Sequence, residues 1–224
     1  MSAPAEGASY PSYPARLEGQ LDPALSRWLW LVKWLLIIPH VIVLFFLWIA
    51  FVVLTIVAGF AILFTERYPR GIFDFNVGVL RWAWRVSFYS YAALGTDRYP
   101  PFTLGPVSDY PATLDIPYPD RLSRGLVLVK WWLLAIPHYL LVALFTGSSP
   151  PGPPEYWWGG LIFLLVLFAG VALLFTTRYP RGIFDFVLGL DRWVLRVAAY
   201  AALMRDEYPP FRLDQGGREP TGIV

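Results

Sequence analysis

Residues 67–75 read RYPRGIFDF, and the same string returns at residues 178–186. The order of parts around each copy is also kept. A Lys-Trp-rich apolar stretch with a Pro-His pair precedes it, and an Arg-Trp helical pattern closed by YPPF follows it. Lys33, His40, Arg70, Asp74, Gly78, Arg81, Trp82, Arg85, Tyr91, Asp97 and Phe102 answer to Lys130, His138, Arg181, Asp185, Gly189, Arg192, Trp193, Arg196, Tyr200, Asp206 and Phe211. A unit of roughly 85 to 95 residues is too long for a stacked solenoid repeat and marks a duplicated domain. Whatever one half folds into, the other must closely match. The layout is a disordered tail over 1–24, repeat one over 25–104, a proline-rich linker over 105–119, repeat two over 120–213 and a loose tail over 214–224.

Each half must bury or dissolve an unusual amount of carbon. Hydrophobic residues make up 57% of the chain and charged ones only 15%, against about 25% charged in ordinary soluble domains. No charged residue occurs from Trp34 to Thr65. In repeat two the corresponding run is split by TGSSPPGPPEY. Apolar runs of 18 or more residues indicate bilayer spans of about 20 residues. The first run is too long for one span, so the break in repeat two predicts a tight hairpin in repeat one near Trp48 and Ile49. The expected fold is therefore all-α: a polytopic membrane protein, each copy a transmembrane helical hairpin followed by an interfacial amphipathic helix.

Charge distribution suggests an orientation. Arg and Lys lie outside the two apolar hairpins, and the positive-inside rule then places both termini and the linker in the cytoplasm, in a multi-pass protein of the bacterial inner membrane. Arg far outnumbers Lys, as GC-rich bacterial genomes favour. Two copies with the same orientation imply a pseudo-two-fold axis along the membrane normal. Residues 1–24 lack the apolar core of a cleavable signal. The chain has no Cys, which excludes disulfides and thiolate metal sites.

After each hairpin, helices are predicted over about 72–94 and 183–203. At 100° per residue, Asp74, Gly78, Arg81 and Arg85 form one narrow polar stripe on an otherwise apolar surface, repeated as Asp185, Gly189, Arg192 and Arg196. Three readings fit. The helices could lie at the interface with Arg70, Arg81, Arg85, Arg181, Arg192 and Arg196 reaching anionic lipid or a partner. The stripes could instead pack on each other across the axis, Gly78 and Gly189 allowing close approach and Asp74 and Asp185 neutralising the opposite copy's arginines. Or each helix could be a third span, inverting the second copy. His40 and His138, inside apolar helices, are candidates for a proton relay or metal pair on the axis, or for a structural bond to a carbonyl freed by the adjacent proline. Two His without acidic partners make a poor metal site, and no cofactor is expected. Lys33 and Lys130 read as interfacial anchors.

At RYPRGIFDF, the R-W-x-x-R-V pattern and YPPF, both copies resemble DUF4389, a family of uncharacterised bacterial membrane proteins. The resemblance implies a small membrane domain and brings no catalytic residues. The residues themselves lack a phosphate-binding Gly loop, a zinc helix or a nucleophile elbow, so no enzymatic activity is expected. Arginines interleaved with Trp and Phe suit anionic lipid better than nucleic acid. The reading is a non-enzymatic membrane-organising or accessory subunit, binding lipid, a membrane-protein partner or a second copy. The alternative is a transporter or channel subunit with a path lined by the His and the Asp-Arg stripes.

Overall fold

Proline sets where the longest helix begins. Without an N–H to donate, Pro39 separates α1 (Lys33–Leu36) from α2 (Ile38–Thr65) and sits in the first turn of α2, where that donor would have no intrahelical partner. Our computed structural model describes residues 13–147 and 159–218. Over that range α2 continues for 28 residues, straight through Trp48 and Ile49. The expected hairpin turn is absent there. No Gly or Pro lies between His40 and Ala58 to make one.

Repeat two builds the same rod from two pieces. It runs through α4 (Arg124–Val129), a π-helical turn (Lys130–Leu134), α5 (Ile136–Thr146) and α6 (Gly160–Thr176). The 11 residues of α5 and 17 of α6 together equal the 28 of α2. Gly160, at φ +70°, abuts the end of α5 so closely that a Cβ would lie 2.4 Å from Gly147 N and from Thr146 C. α5 and α6 thus form one apolar rod rather than two arms of a hairpin, and the loop expected at the hairpin tip lies, over 148–158, outside the described residues. The π-turn absorbs one further residue, since Lys130 to His138 is one step longer than Lys33 to His40.

The helices expected at the interface are instead the centre of the protein. α3 (Arg70–Tyr89) and α7 (Arg181–Ala201) start directly after Pro69 and Pro180, and most of their residues are buried. α3 folds back antiparallel along α2, with Trp82 meeting His40 and Asn76 meeting Thr55. Across the pseudo-two-fold axis, Tyr68 Oη donates to Ala202 O at 3.5 Å and Tyr179 Oη to Ala93 O at 2.8 Å. The tyrosine of the repeated string therefore joins the two copies. On the axis β1 (Arg16–Gly19) pairs antiparallel with β2 (Ala112–Asp115), Leu17 facing Leu114. Residues 16–19, expected to be a disordered tail, and 112–115, expected to be linker, are therefore equivalent strands, and each repeat begins upstream of residues 25 and 120. Asp214–Gly217, expected to be loose, also packs, with Gly19 N donating to Gly217 O at 3.1 Å.

Three layers result. The β ribbon and the segments after α3 and α7 cover one side of the α3–α7 pair: Arg81 Nε donates to Leu114 O and Trp84 Nε1 to Glu18 O. On the other side Leu44 of α2 packs on Trp82 and Val86. That third layer, α2 with α5–α6, leaves Ile42, Phe45, Ile49, Val53, Ile56, Phe60 and Phe168 exposed. The most apolar window of α2 has a mean hydropathy of 3.1 and is only 17% buried. By length and composition α2 could cross a membrane, and Arg124–Leu134 with Ile136–Thr146, bent by 47°, could form a second crossing.

Candidate functional site

Each histidine sits in a cage made by its own copy. Trp82 Nε1 donates to His40 Nδ1 at 3.1 Å, and Phe102 of the YPPF segment stacks on the imidazole at 3.9 Å between centroids. In repeat two Trp193 donates to His138 Nδ1 at 3.1 Å, and Phe211 stacks at 4.3 Å. Tyr99 and Tyr208 complete the cages and donate to Leu36 O and Leu134 O. The two histidines do not form a pair on the axis, and neither uses Nδ1 to reach a kink carbonyl. With Nδ1 accepting, each neutral ring carries its proton on Nε2, which is buried without a hydrogen-bond partner among the described residues.

Lys33 and Lys130, expected to anchor at the interface, are buried. Lys33 Nζ donates to Thr96 O at 2.7 Å and pairs with Asp97 at 2.9 Å, and Lys130 repeats this with Arg205 O and Asp206. Lys33 also lies over the ring of Tyr89 and Lys130 over that of Tyr200. The counterpart of Tyr200 is therefore Tyr89, not Tyr91.

The arginine stripes face protein. Arg81 Nη2 pairs with Asp115 at 2.9 Å, and Arg85 donates to Gly105 O and Thr103 O. Arg192 donates to Leu17 O at 2.8 Å and to Asp214 O, while Arg196 pairs with Asp214 at 2.6 Å. A guanidinium with several fixed donors suits carbonyls of the ribbon and of the segments after the helices, which lets Arg85, Arg192 and Arg196 be buried here while Arg81 is half-buried. These four are thus not on the surface that could meet lipid. Arg70 and Arg181 are exposed, Arg70 over the ring of Tyr118. Gly78 admits Leu104, whose Cβ would lie 2.8 Å from an added methyl, and Gly189 faces Asp214 and Gln215. The close approach is to the segment after the same helix, not to the opposite stripe. Asp74 is exposed and Asp185 half-buried, and among the described residues no ion pair joins either to an arginine.

A family model described as Domain of unknown function (DUF4389) matches residues 27–103 and 156–212, one segment in each copy. The chain belongs to the DUF4389 family. In this DUF4389 protein the second match begins after α5, although the π-helical turn and α5 carry the same Lys, Pro and His as copy one. No curated protein and no solved structure matches the chain.

Two cavities break the internal symmetry of the DUF4389 fold. One, of about 320 Å³, lies on the axis between the ribbon, α3, α7 and the α5–α6 junction, and contains Asp191. Burial pushes the Asp191 carboxyl well above the ordinary carboxylate range, with Arg192 opposing the shift. The sequence signal is visible once the copies are aligned: Asp191 stands where copy one has Leu80. The other, a groove of about 670 Å³, opens on the exposed apolar layer between Trp48, Phe51, Ile56, Phe60, Val127 and Trp131. It exists because Val127 is small. Its counterpart Trp30 fills the equivalent space against Gly170, at 3.3 Å from a methyl built there.

Proposed function

We propose that this protein is a non-enzymatic membrane organiser or accessory subunit whose α2 and α5–α6 layer sits in the cytoplasmic leaflet of a bacterial inner membrane, with the pseudo-two-fold axis along the membrane normal. The observation that carries this reading is the layering: one face is a slab of exposed aliphatic and aromatic side chains, and the opposite face carries the ribbon with exposed Arg16, Thr113 and Asp115. A patch of this kind is far larger than a soluble monomer tolerates and marks a lipid or partner surface. Exposed Tyr99, Phe102, Tyr208 and Phe211 flank the slab, as an aromatic belt at headgroup level would. Arg67, Arg70, Arg178 and Arg181, exposed where the apolar layer ends, would meet anionic headgroups. The groove beside Val127 would take an acyl chain or the apolar side of a partner.

A multi-pass arrangement is the competing orientation. Because α2 and α5–α6 run antiparallel about the axis, setting them across the bilayer turns the axis into the membrane plane. The ribbon's Arg16 and Asp115 would then face hydrocarbon near its midplane, at a cost of about 2.5–3.5 kcal/mol each on insertion scales. One-sided insertion avoids that cost and leaves residues 19 and 217, bonded to each other, on the aqueous side. A transporter path through the histidines and the arginine stripes finds little support, because Trp82 holds His40 on the α2 side while Arg81 and Arg85 face the ribbon and the segment after α3. Vesicle flotation and remodelling tests the proposal: purified protein should bind and tubulate or fragment vesicles rich in phosphatidylglycerol, and Arg70→Ala with Arg181→Ala should weaken binding to them but not to neutral vesicles. Ion flux lost on His40→Ala with His138→Ala would overturn it.

A further inference from the structure

The cavity on the axis holds a carboxyl group that the fold does not use. Its walls include axis-related positions from both copies, Leu80 with Asp191 and Ala83 with Val194 among them. Asp191 is 8% exposed, and its Oδ2 is buried without a hydrogen-bond partner among the described residues. Arg192, next to it in the chain, commits its guanidinium to Leu17 O and Asp214 O on the ribbon side. Copy one places Leu80 at the same point of the same cavity, so packing at this position is satisfied by a leucine. A carboxyl oxygen buried without a partner is unfavourable in itself, and such groups persist at sites that bind or react.

The rest of the wall says what would complete it. A hard metal cation takes six or more oxygen ligands, yet among the described residues Asp191 is the only carboxylate bordering the cavity and no three His, Asp or Glu side chains come together. The remaining surface is mostly carbon, including Trp84, Phe145, Phe163 and Ile162, with the Ser87 hydroxyl as a further polar group. One carboxylate facing aromatic rings in a space of about 320 Å³ matches an ammonium group on an apolar body: the charge pairs with the carboxylate, and the rings favour both cation and carbon. We propose that this cavity binds a small apolar amine in its protonated form, with the ammonium on Asp191 and the body among Trp84, Phe145 and Phe163.

Phenethylamine is the probe, and 2-phenylethanol its neutral isostere. Binding is measured by titration calorimetry at pH 7.5 on the full chain in phosphatidylcholine nanodiscs, with empty nanodiscs subtracted to remove partitioning. The expected result is saturable, one-to-one binding of the amine and at least tenfold weaker binding of the alcohol. Asp191→Asn and Asp191→Leu, the latter copying copy one, should each weaken amine binding at least tenfold while keeping the helical circular dichroism of the parent. Absence of saturable amine binding, equal affinity for the alcohol, or unchanged affinity in Asp191→Asn would overturn the proposal. Should either variant fail to fold, the amine-to-alcohol comparison on the parent decides alone. Flotation on phosphatidylglycerol vesicles should be unchanged in Asp191→Leu, so failure here is separable from failure of the membrane reading.

Discussion

At each histidine a single indole hydrogen bond decides between structure and chemistry. Trp82→Phe removes the donor to His40 Nδ1 and leaves a buried acceptor unpaired, which should cost about 1–3 kcal/mol. Replacing both, Trp82→Phe with His40→Phe, should recover most of that loss, because no polar group is then stranded. Thermal melting in mild detergent checks this, and a double variant no better than the single would mean that the imidazole does something besides accept this bond. Asp191 makes the opposite prediction. Its folded-state pKa is raised, so its contribution to stability is fully present below the unfolded carboxylate range and is lost as pH rises through the raised value. Asp191→Leu should therefore melt higher than the parent, with a gap that widens from pH 4 upward. Arg192, the charged neighbour that opposes the shift, tempers but does not reverse that sign. The conserved order Lys, His, Trp, Asp, Tyr and Phe was legible in the repeat, but not the roles: Lys33 and Arg85 look like surface cations until their carbonyl partners, Thr96 and Gly105, are brought beside them by chain far away in sequence.

Helix α2 and its split counterpart carry the main departure from the sequence reading. From the duplication, a loop in repeat two implies a turn in repeat one, whereas the 28-residue α2 shows that the loop is an addition to copy two. Periodicity could not decide this, because a helix that is apolar on all sides has no preferred face to reveal a turn. Deleting residues 147–159, which joins Thr146 to Gly160 as Trp48 joins Ile49, should leave a folded protein with unchanged helical circular dichroism per helical residue. In the other direction, Ile49→Pro should cost about 3 kcal/mol or more, since a proline there breaks the interior of a continuous helix. A tolerated proline at Ile49, with a lost fold on deletion of 147–159, would restore the hairpin. The α3 and α7 stripes were legible as stripes, but their direction was not. Amphipathicity says only that one side differs from the rest. What covers it, here Leu17, Leu114, Thr103 and Asp214, depends on segments whose sequences carry no periodic signal.

For the molecule as a whole, the antiparallel relation of the two copies ties the direction of the axis to the direction of α2. A helix of 28 residues is about 42 Å long at 1.5 Å per residue, more than a leaflet-to-leaflet crossing needs and unconstrained if it lies in the membrane plane. Composition made an exposed apolar layer legible, and the repeat made the axis legible. Neither could say whether the axis is normal to the bilayer or in it, because that depends on the ribbon, formed by four-residue strands too short to read in the sequence. The direct measurement is insertion depth along α2. Ile42→Cys, Ile49→Cys and Ile56→Cys lie one above another on its exposed side, and the chain has no cysteine of its own. With a spin label at each site in reconstituted bilayers, power-saturation depths within a few ångströms of one another are expected, with a label at Thr113→Cys fully aqueous. Depths that change by about 10 Å from one site to the next, as a helix crossing the bilayer requires, would contradict the one-sided insertion proposed for this fold.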